Sequence, residues 1–501
     1  MLKNYFIVAV RNFWRNKVFS FINILGLSIG ICTSLAIFLI VSYDLSFDHF
    51  HKDTNRIYRV VSSLKSMGEE SPGPGVTINL PGAITRELTG VNAVVPLYTW
   101  DKYPDITVDA GISKVVVFKK QKNIVFTNAD YFKVFNYTWL TGSPQASLSK
   151  PYQVVLTQSA ARLYFPQLLY TQVTGRQLVI DTTTVTVSGI VKDITQNTDL
   201  TFTAFLSQPS LTKILFKGED LWDDNEPSSQ VFVKLSPGTT PARLTANINA
   251  LYARHYKPAT GNNVSLSFAL QPLGDLHFNA GYGNYFNNHL AHKPTLWALL
   301  AVAAFILLLA CINFINLATA QASKRAKEIG LRKTMGGSKK QLVFQFLSET
   351  FLLTLMAALL SVILIPFLLK LFSGFIPRGV TFNIVKQPGI LIFLFTLVTA
   401  VSLLSGFYPA VILSSCKPVL VLKNSSGNMG KSRFAWMRRF LIVTQFVIAQ
   451  VFIIATIIVC RQINYSVNSN LGFKKDGIIY FNTYFSRNQA QRQVLLQKIR
   501  A

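Results

Sequence analysis

Residues 324–342 read KRAKEIGLRKTMGGSKKQL, a basic run set between two long apolar segments. Lys324, Arg325, Lys327, Arg332, Lys333, Lys339 and Lys340 stand against one acid, Glu328. A run of that charge beside membrane spans belongs on the cytoplasmic side. It also has internal order. Ala318 to Met335 is rich in helix formers and free of proline, Gly336-Gly337 is a natural helix stop, and Ser338-Lys339-Lys340-Gln341 has the form of a capping box. The expectation is a helix, a tight turn and a new helix at the membrane surface. Charge alone says only that the loop is cytoplasmic, as basic loops of membrane proteins generally are.

Working outward, half of the 501 residues are hydrophobic and 12% aromatic, which points to membrane spans before a soluble enzyme. The formal net charge of +27 would suit nucleic acid if it formed one face. It does not. Residues 45–293 hold 22 Lys and Arg against 18 Asp and Glu, and the rest of the chain holds 27 against 4, so the excess flanks the apolar segments. That is a topology signal, and no basic stripe interleaved with aromatics accompanies it. The four cysteines, Cys32, Cys311, Cys416 and Cys460, lie in or beside apolar segments and offer neither a disulfide framework nor a metal motif.

In chain order, residues 1–17 have the apolar period of an interfacial helix, with Phe6, Ile7, Val10, Phe13 and Trp14 opposite Asn4, Arg11 and Arg15. Phe19 to Val41 carries no charge and as a helix would be about 35 Å long, enough to span a bilayer. Without a small-residue cleavage site it reads as an uncleaved anchor, a first span over 18–43. Gly26, Gly30 and Ser34 fall four apart, a track along which another helix can approach closely. Residues 44–293 follow as one polar block of α+β character on the far side. Lys114–Phe118, Gln153–Leu156 and Thr182–Val191 read as strands, Thr157–Tyr164 and Pro241–His255 as helices, and Ser71-Pro72-Gly73-Pro74-Gly75 as a break. Further spans are expected at 295–317, 349–372 with Pro366 a candidate kink, 389–411 and 440–460, separated by the turn at 318–342 and a basic linker at 417–439. The fold class is thus an α-helical integral membrane protein with a large α+β periplasmic domain and about five transmembrane helices. Residues 461–501 read as the start of a second such domain that is cut short, a five-span protein being the alternative.

No catalytic pattern emerges. Gly427 to Ser432 looks like the end of a P-loop, but the required earlier glycine is Ser425 and no strand precedes it. His49 and His51 could share one side of a strand and bind a metal, but without Cys or an HExxH pattern they read as solvated surface. Glu69-Glu70 and Asp223-Asp224-Asn225-Glu226 read as exposed acidic loops. The apolar stretches Phe19–Val41, Leu296–Leu317, Phe351–Leu369 and Gly389–Val411 hold no intramembrane carboxylate, His or Arg of the kind an ion-coupled carrier needs.

The string EIGLRKTMGGSKKQLVFQFLSE, Glu328 to Glu349, resembles the hallmark of FtsX-like/MacB-like ABC transporter permeases, with Gly337 in place of the usual Ala. FDHFHKDTNRIYRV (47–60), VVLTQSAARLYF (154–165) and VSGIVKDITQNTDLTF (187–202) resemble the periplasmic core domain of the same family, and Phe407-Tyr408-Pro409-Ala410 resembles its exit from the last helix. The resemblance implies an inner-membrane permease subunit with a cytoplasmic N-terminus that works by mechanotransmission. ATP and Mg would be bound by a separate ATPase dimer, and this chain would carry no cofactor, metal or catalytic site. It implies that Lys324, Arg325, Glu328, Ile329, Gly330, Leu331, Arg332, Lys333, Gly336 and Gly337 couple to the ATPase. Glu328, Arg332 and Lys333 would make polar contacts, Ile329 and Leu331 would enter its cleft, and the glycines would set the turn. Other partners would be membrane lipid, a second permease copy or a periplasmic or outer-membrane protein, and not nucleic acid. The implied task is export or extraction of a lipophilic or peptide-like substrate. An FtsX-like regulator of a cell-wall hydrolase and a non-transporting scaffold are the alternatives.

Overall fold

The computed structural model of the chain describes residues 11, 13–100, 103–109, 115–216, 221–222, 225–256, 265–283, 286, 290–377, 379–415, 431–469 and 489–500. For the helical residues 322–328, 431–435, 489–492 and 500 it describes the backbone alone. Most of the stretch expected to form an interfacial helix, 1–10 and 12, lies outside the described residues, as do 416–430, with the P-loop-like glycines, and 470–488 with 501. Two compact units result: residues 1–43 with 294–481, and residues 44–293 with 482–501.

The first unit is built from long helices: α1 (Lys17–Leu45), α2 (Lys293–Thr334), α3 (Lys339–Leu371), α4 (Pro388–Ser415) and α5 (Lys431–Asn468). Each contains a stretch long and apolar enough to cross a membrane. Small residues set how closely they pack. A Cβ on Gly30 would lie 3.1 Å from Ala310 Cβ and one on Gly26 would lie 3.6 Å from Asn313 Nδ2, while the Ser34 hydroxyl donates to the Ala303 carbonyl at 3.4 Å. All three therefore face α2. On another side of α1, the Ser361 hydroxyl of α3 donates to the Ser28 carbonyl at 2.8 Å, and Phe38 stacks on Phe393 of α4 with ring centroids 4.0 Å apart. The shared apolar core holds Leu27, Ile31, Leu35, Phe314, Leu353 and Val401. Pro366 sits inside α3 without ending it. The most apolar window of α5 is nowhere buried, and Phe452 meets Phe305 of α2 edge-on at 5.5 Å.

The second unit is an α+β domain around a thirteen-stranded mixed sheet. From one edge the eleven strands of its main path run Ser265–Pro272, Ile57–Ser66, Ser229–Leu235, Val91–Thr99, Ile124–Thr127, Ala204–Ser207, Gln153–Thr157, Thr183–Val191, Gln177–Ile180, Ile106–Asp109 and Val115–Phe118, with Glu69–Gly73 paired to 57–66 and Trp139–Thr141 to 183–191 off that path. Neighbours are antiparallel except for two parallel pairs, 124–127 with 204–207 and 153–157 with 183–191. Helices close the apolar faces because their own patterns match. Pro241–His255 buries Leu244, Ile248, Leu251 and Tyr252 at helical spacing against Val60, Val231 and Val233, and it opens on a Thr240 cap with proline in its first turn. Gln158–Tyr164 opens on Thr157, whose hydroxyl accepts from the Ala160 amide.

Two local expectations are corrected. The break expected at Ser71 to Gly75 begins as a strand, since Glu69–Gly73 pairs in register with Ser62–Ser66, and Pro72 is tolerated on this flanking strand. His49 and His51 lie in turns and not on a strand, and His51 is buried, with Nε2 3.3 Å from Asp48 Oδ1. Of the acidic stretch 223–226, Asp223 and Asp224 lie outside the described residues, while Glu226 accepts from the Tyr98 hydroxyl at 3.1 Å.

Candidate coupling site

The basic run folds as the second half of one uninterrupted helix. α2 carries 42 residues from Lys293, about 63 Å at 1.5 Å per residue, roughly twice the thickness of a hydrocarbon core. No break separates its apolar half from residues 318–334. It then stops in two residues. Gly336 takes φ +96°, its amide donates to the Lys333 carbonyl at 3.1 Å, and the Gly337 amide donates to the Arg332 carbonyl at 3.0 Å. This is the paired closure of a Schellman motif, which satisfies carbonyls that the helix end leaves open. Glycine is needed at 336 for its backbone, and at 337 it relieves a tight approach, since a Cβ there would lie 3.0 Å from the Arg332 carbonyl oxygen.

α3 begins at once. The Ser338 hydroxyl accepts from the Gln341 amide at 3.3 Å, and Gln341 Oε1 accepts from the Ser338 amide at 3.0 Å, a reciprocal capping box. Ser338→Ala is expected to cost about 1 kcal/mol and to lower the unfolding temperature of the detergent-solubilised chain. An unchanged transition would show that the box adds nothing to the turn.

Side chains then fix the turn from within. Ile329 is 2% exposed and packs with Leu342, Leu413 and Phe346, so α2, α3 and the end of α4 share a small apolar knot. This corrects the expectation that Ile329 reaches outward. The side chain is already used inside the chain, and Gly330 beside it is also buried. Arg332 Nη1 donates to Gln345 Oε1 at 2.9 Å, and Gln345 Nε2 lies 3.4 Å from Glu349 Oε1. Glutamine suits that middle position because its amide accepts from a cation and donates to a carboxylate at once. Glu349 in turn lines a small cavity of about 50 Å³ together with Phe13, Phe314, Gln321, Thr350 and Leu413.

What faces outward is different. Leu331 is 51% and Met335 80% exposed, and Lys339 and Lys340 are exposed on the first turn of α3. Lys333 is half-buried, and the side chains of Lys324, Arg325 and Glu328 lie outside the described residues. Cations in the last turn of α2 complement its dipole, whereas Lys339 and Lys340 at the start of α3 oppose theirs, by about 0.3–1 kcal/mol each. The second pair is therefore not there to stabilise the helix that carries it.

Comparison with known proteins agrees with this architecture. Residues 20–251 match the MacB-like periplasmic core domain, and residues 300–418 match the FtsX-like permease C-terminal domain. The chain is 23% identical over 422 residues to the macrolide export ATP-binding/permease protein MacB of Agrobacterium fabrum, covering 82% of this chain and 59% of that one. It is 31% identical over 132 residues to the MacB protein of Bdellovibrio bacteriovorus, covering 26% of this chain and 20% of that one. The chain thus spans about three fifths or less of these two curated relatives' own length. Among solved structures, the periplasmic region of MacB from Actinobacillus actinomycetemcomitans covers 42% of this chain and 88% of its own at 12% identity, with a TM-score of 0.30. With a periplasmic core domain followed by an FtsX-like permease domain on long apolar helices, the chain belongs to the FtsX/MacB-like family of ABC transporter permeases.

Proposed function

We propose that the chain is the membrane permease of an ABC transporter whose ATPase is a separate subunit, and that the turn between α2 and α3 receives the ATPase's movement. The observation that carries this is the contrast across the turn. Its inner side is fixed by Ile329, Leu342, Leu413 and the Arg332–Gln345 bond, while Leu331 and Met335 stand exposed beside Lys339 and Lys340. An apolar centre with a basic margin is the form of a docking surface for a partner with an apolar cleft and acidic rim. Glu328, Arg332 and Lys333 would add polar contacts around it. Nucleotide-driven closure of an ATPase dimer would then move the helices, and with them the periplasmic domain, to export or extract a lipophilic or peptide-like substrate. The charge distribution supports a cytoplasmic N-terminus and turn, with residues 44–293 in the periplasm.

The braced geometry decides the test. Arg332→Glu would break the link to Gln345 as well as any outward contact, so Leu331→Glu is the cleaner variant. In a mild-detergent preparation that retains the ATPase, Leu331→Glu is expected to lower permease-stimulated ATP hydrolysis by about tenfold or more, the effect of losing a central interface anchor, with membrane levels unchanged. Stimulation equal to the parent's would remove the turn as the receiver.

A further inference from the structure

The two phrases of sequence most distinctive of the large domain, 47–60 and 187–202, meet a third segment in a buried cluster of charged side chains. His277 is its centre and is 2% exposed. Its Nδ1 lies 3.1 Å from Asp199 Oδ1, its Nε2 lies 3.6 Å from Asp44 Oδ1, and the ring of Phe47 stacks on it at 3.7 Å. Asp199 and Asp44 are themselves buried. Asp44 belongs to the last turn of α1, and Asp199 belongs to the loop before the strand Ala204–Ser207. The backbone follows the same path, with the Asp48 amide donating to the Asn197 carbonyl at 3.0 Å.

Two buried carboxylates brought to opposite nitrogens of one ring need that ring to be a cation, because the neutral form offers only one N–H. A doubly paired imidazolium under an aromatic face is a fastening. We propose that His277 is a positioning residue that bolts the last turn of α1, through Asp44, to the loop leading into the strand Ala204–Ser207, through Asp199, so that residues 44–48 contain no slack. The inference rests on the coupling reading for its purpose, while the bolt stands on its own geometry. Among the described residues no set of His, Cys, Asp or Glu is arranged to hold a metal ion, so the cluster reads as ion-paired.

The proton on His277 is the pin. Burial opposes the charged form, but the hydrogen bond to Asp199 and the ion pair with Asp44 outweigh it and raise the pKa from 6.5 to about 9. Among the described residues, charged groups nearby include Asp48 with His51, and beyond them Arg59 and Asp275. With the folded value raised, the bolt's contribution is full below about pH 6.5 and disappears as pH rises through about 9.

A nitroxide spin label at Leu45→Cys, in the full chain with its own cysteines replaced and reconstituted in nanodiscs, reads the bolt directly. The expected spectrum is immobilised at pH 7 and loosens with a midpoint near pH 9. In His277→Gln it should be mobile across the whole range. Asp44→Asn, which keeps the His277–Asp199 pair and releases the helix end alone, should also free the label and covers the case in which His277→Gln does not fold. An immobile label in either folded variant at pH 7, or a parent spectrum that does not change between pH 7 and 10, would overturn the proposal. None of these readings involves an ATPase, so a failure of the coupling experiment leaves the outcome independent.

Discussion

Arg59→Leu is expected to destabilise the large domain by about 3–5 kcal/mol, the range for removing one partner from a buried ionic or strongly polar network. The guanidinium is fully buried. Nε and Nη2 donate to Gln271 Oε1 at 3.0 and 2.6 Å, Nη1 donates to Gln230 Oε1 at 3.2 Å, and Nη2 also donates to the Gly283 carbonyl at 3.0 Å. Burial pushes its pKa down to about 10 against the pull of Asp199 and Asp275, so it remains a cation at neutral pH. Leucine would fill most of the space but orphan the acceptors on Gln271, Gln230 and Gly283, each worth about 1–3 kcal/mol when left buried and unbonded. Hydrogen exchange along Ile57–Ser66 in the whole chain would report the change. A loss well under about 1 kcal/mol would mean that water takes the guanidinium's place. The network also runs onward, because Gln271 Nε2 lies 3.3 Å from Asp275 Oδ2 and Asp275 Oδ1 lies 3.5 Å from Lys293 Nζ, the first residue of α2. Replacing Gln230 and Gln271 with leucine alongside Arg59 should cost less than the separate losses summed, which distinguishes orphaned acceptors from lost volume.

Gly406→Leu should have the second large effect, this time in the membrane unit. A Cβ at 406 would fall 2.9 Å from Thr350 Oγ1, 3.0 Å from Thr350 Cβ and 3.2 Å from Leu347 Cδ2. Thr350 is β-branched, and its hydroxyl donates to the Phe346 carbonyl at 3.0 Å, so it has little freedom to turn away. Overpacking of this kind costs about 1–3 kcal/mol, and a full leucine side chain against a stiff neighbour belongs at the upper end. The damage should spread to the turn between α2 and α3, because Phe346 and Leu413 of the displaced helices also hold Ile329. The measurement is the thermal unfolding midpoint in detergent beside cysteine accessibility at Met335→Cys. If the midpoint and the accessibility both matched the parent's, α3 and α4 would not be held together at that glycine.

Much of this architecture was legible in the sequence wherever the signal is local. The apolar runs become α1 to α5, Pro241–His255 has the bounds its pattern predicts, and the Ser338 box closes as its spelling requires. The four-residue spacing of Gly26, Gly30 and Ser34 places all three on one face because a helix repeats every 3.6 residues, and that face meets α2. What the sequence hid depends on distant partners. His51 reads as surface until Asp48 turns back on it and Thr198, 150 residues later, caps the same carboxylate. His277 carries no local mark, since its partners are 78 residues away at Asp199 and further still at Asp44. Ile329 looks outward on a basic helix until Leu342 and Leu413 cover it. The strand at Glu69–Gly73 was masked by Pro72 within it and Pro74 just after it, and Pro72 is tolerated on this flanking strand.

The unbroken length of α2 has a mechanical consequence. A helix held by continuous hydrogen bonds resists bending far more than a chain with a hinge, so its two ends cannot move independently. Over about 63 Å, a tilt of roughly 10° at one end sweeps the other through about 11 Å. A kinked or segmented helix would lose most of that stroke at the joint. By running from Lys293 to Thr334 with no glycine or proline past its first turn except the buried Gly330, α2 is one continuous rod that ends at Gly336-Gly337.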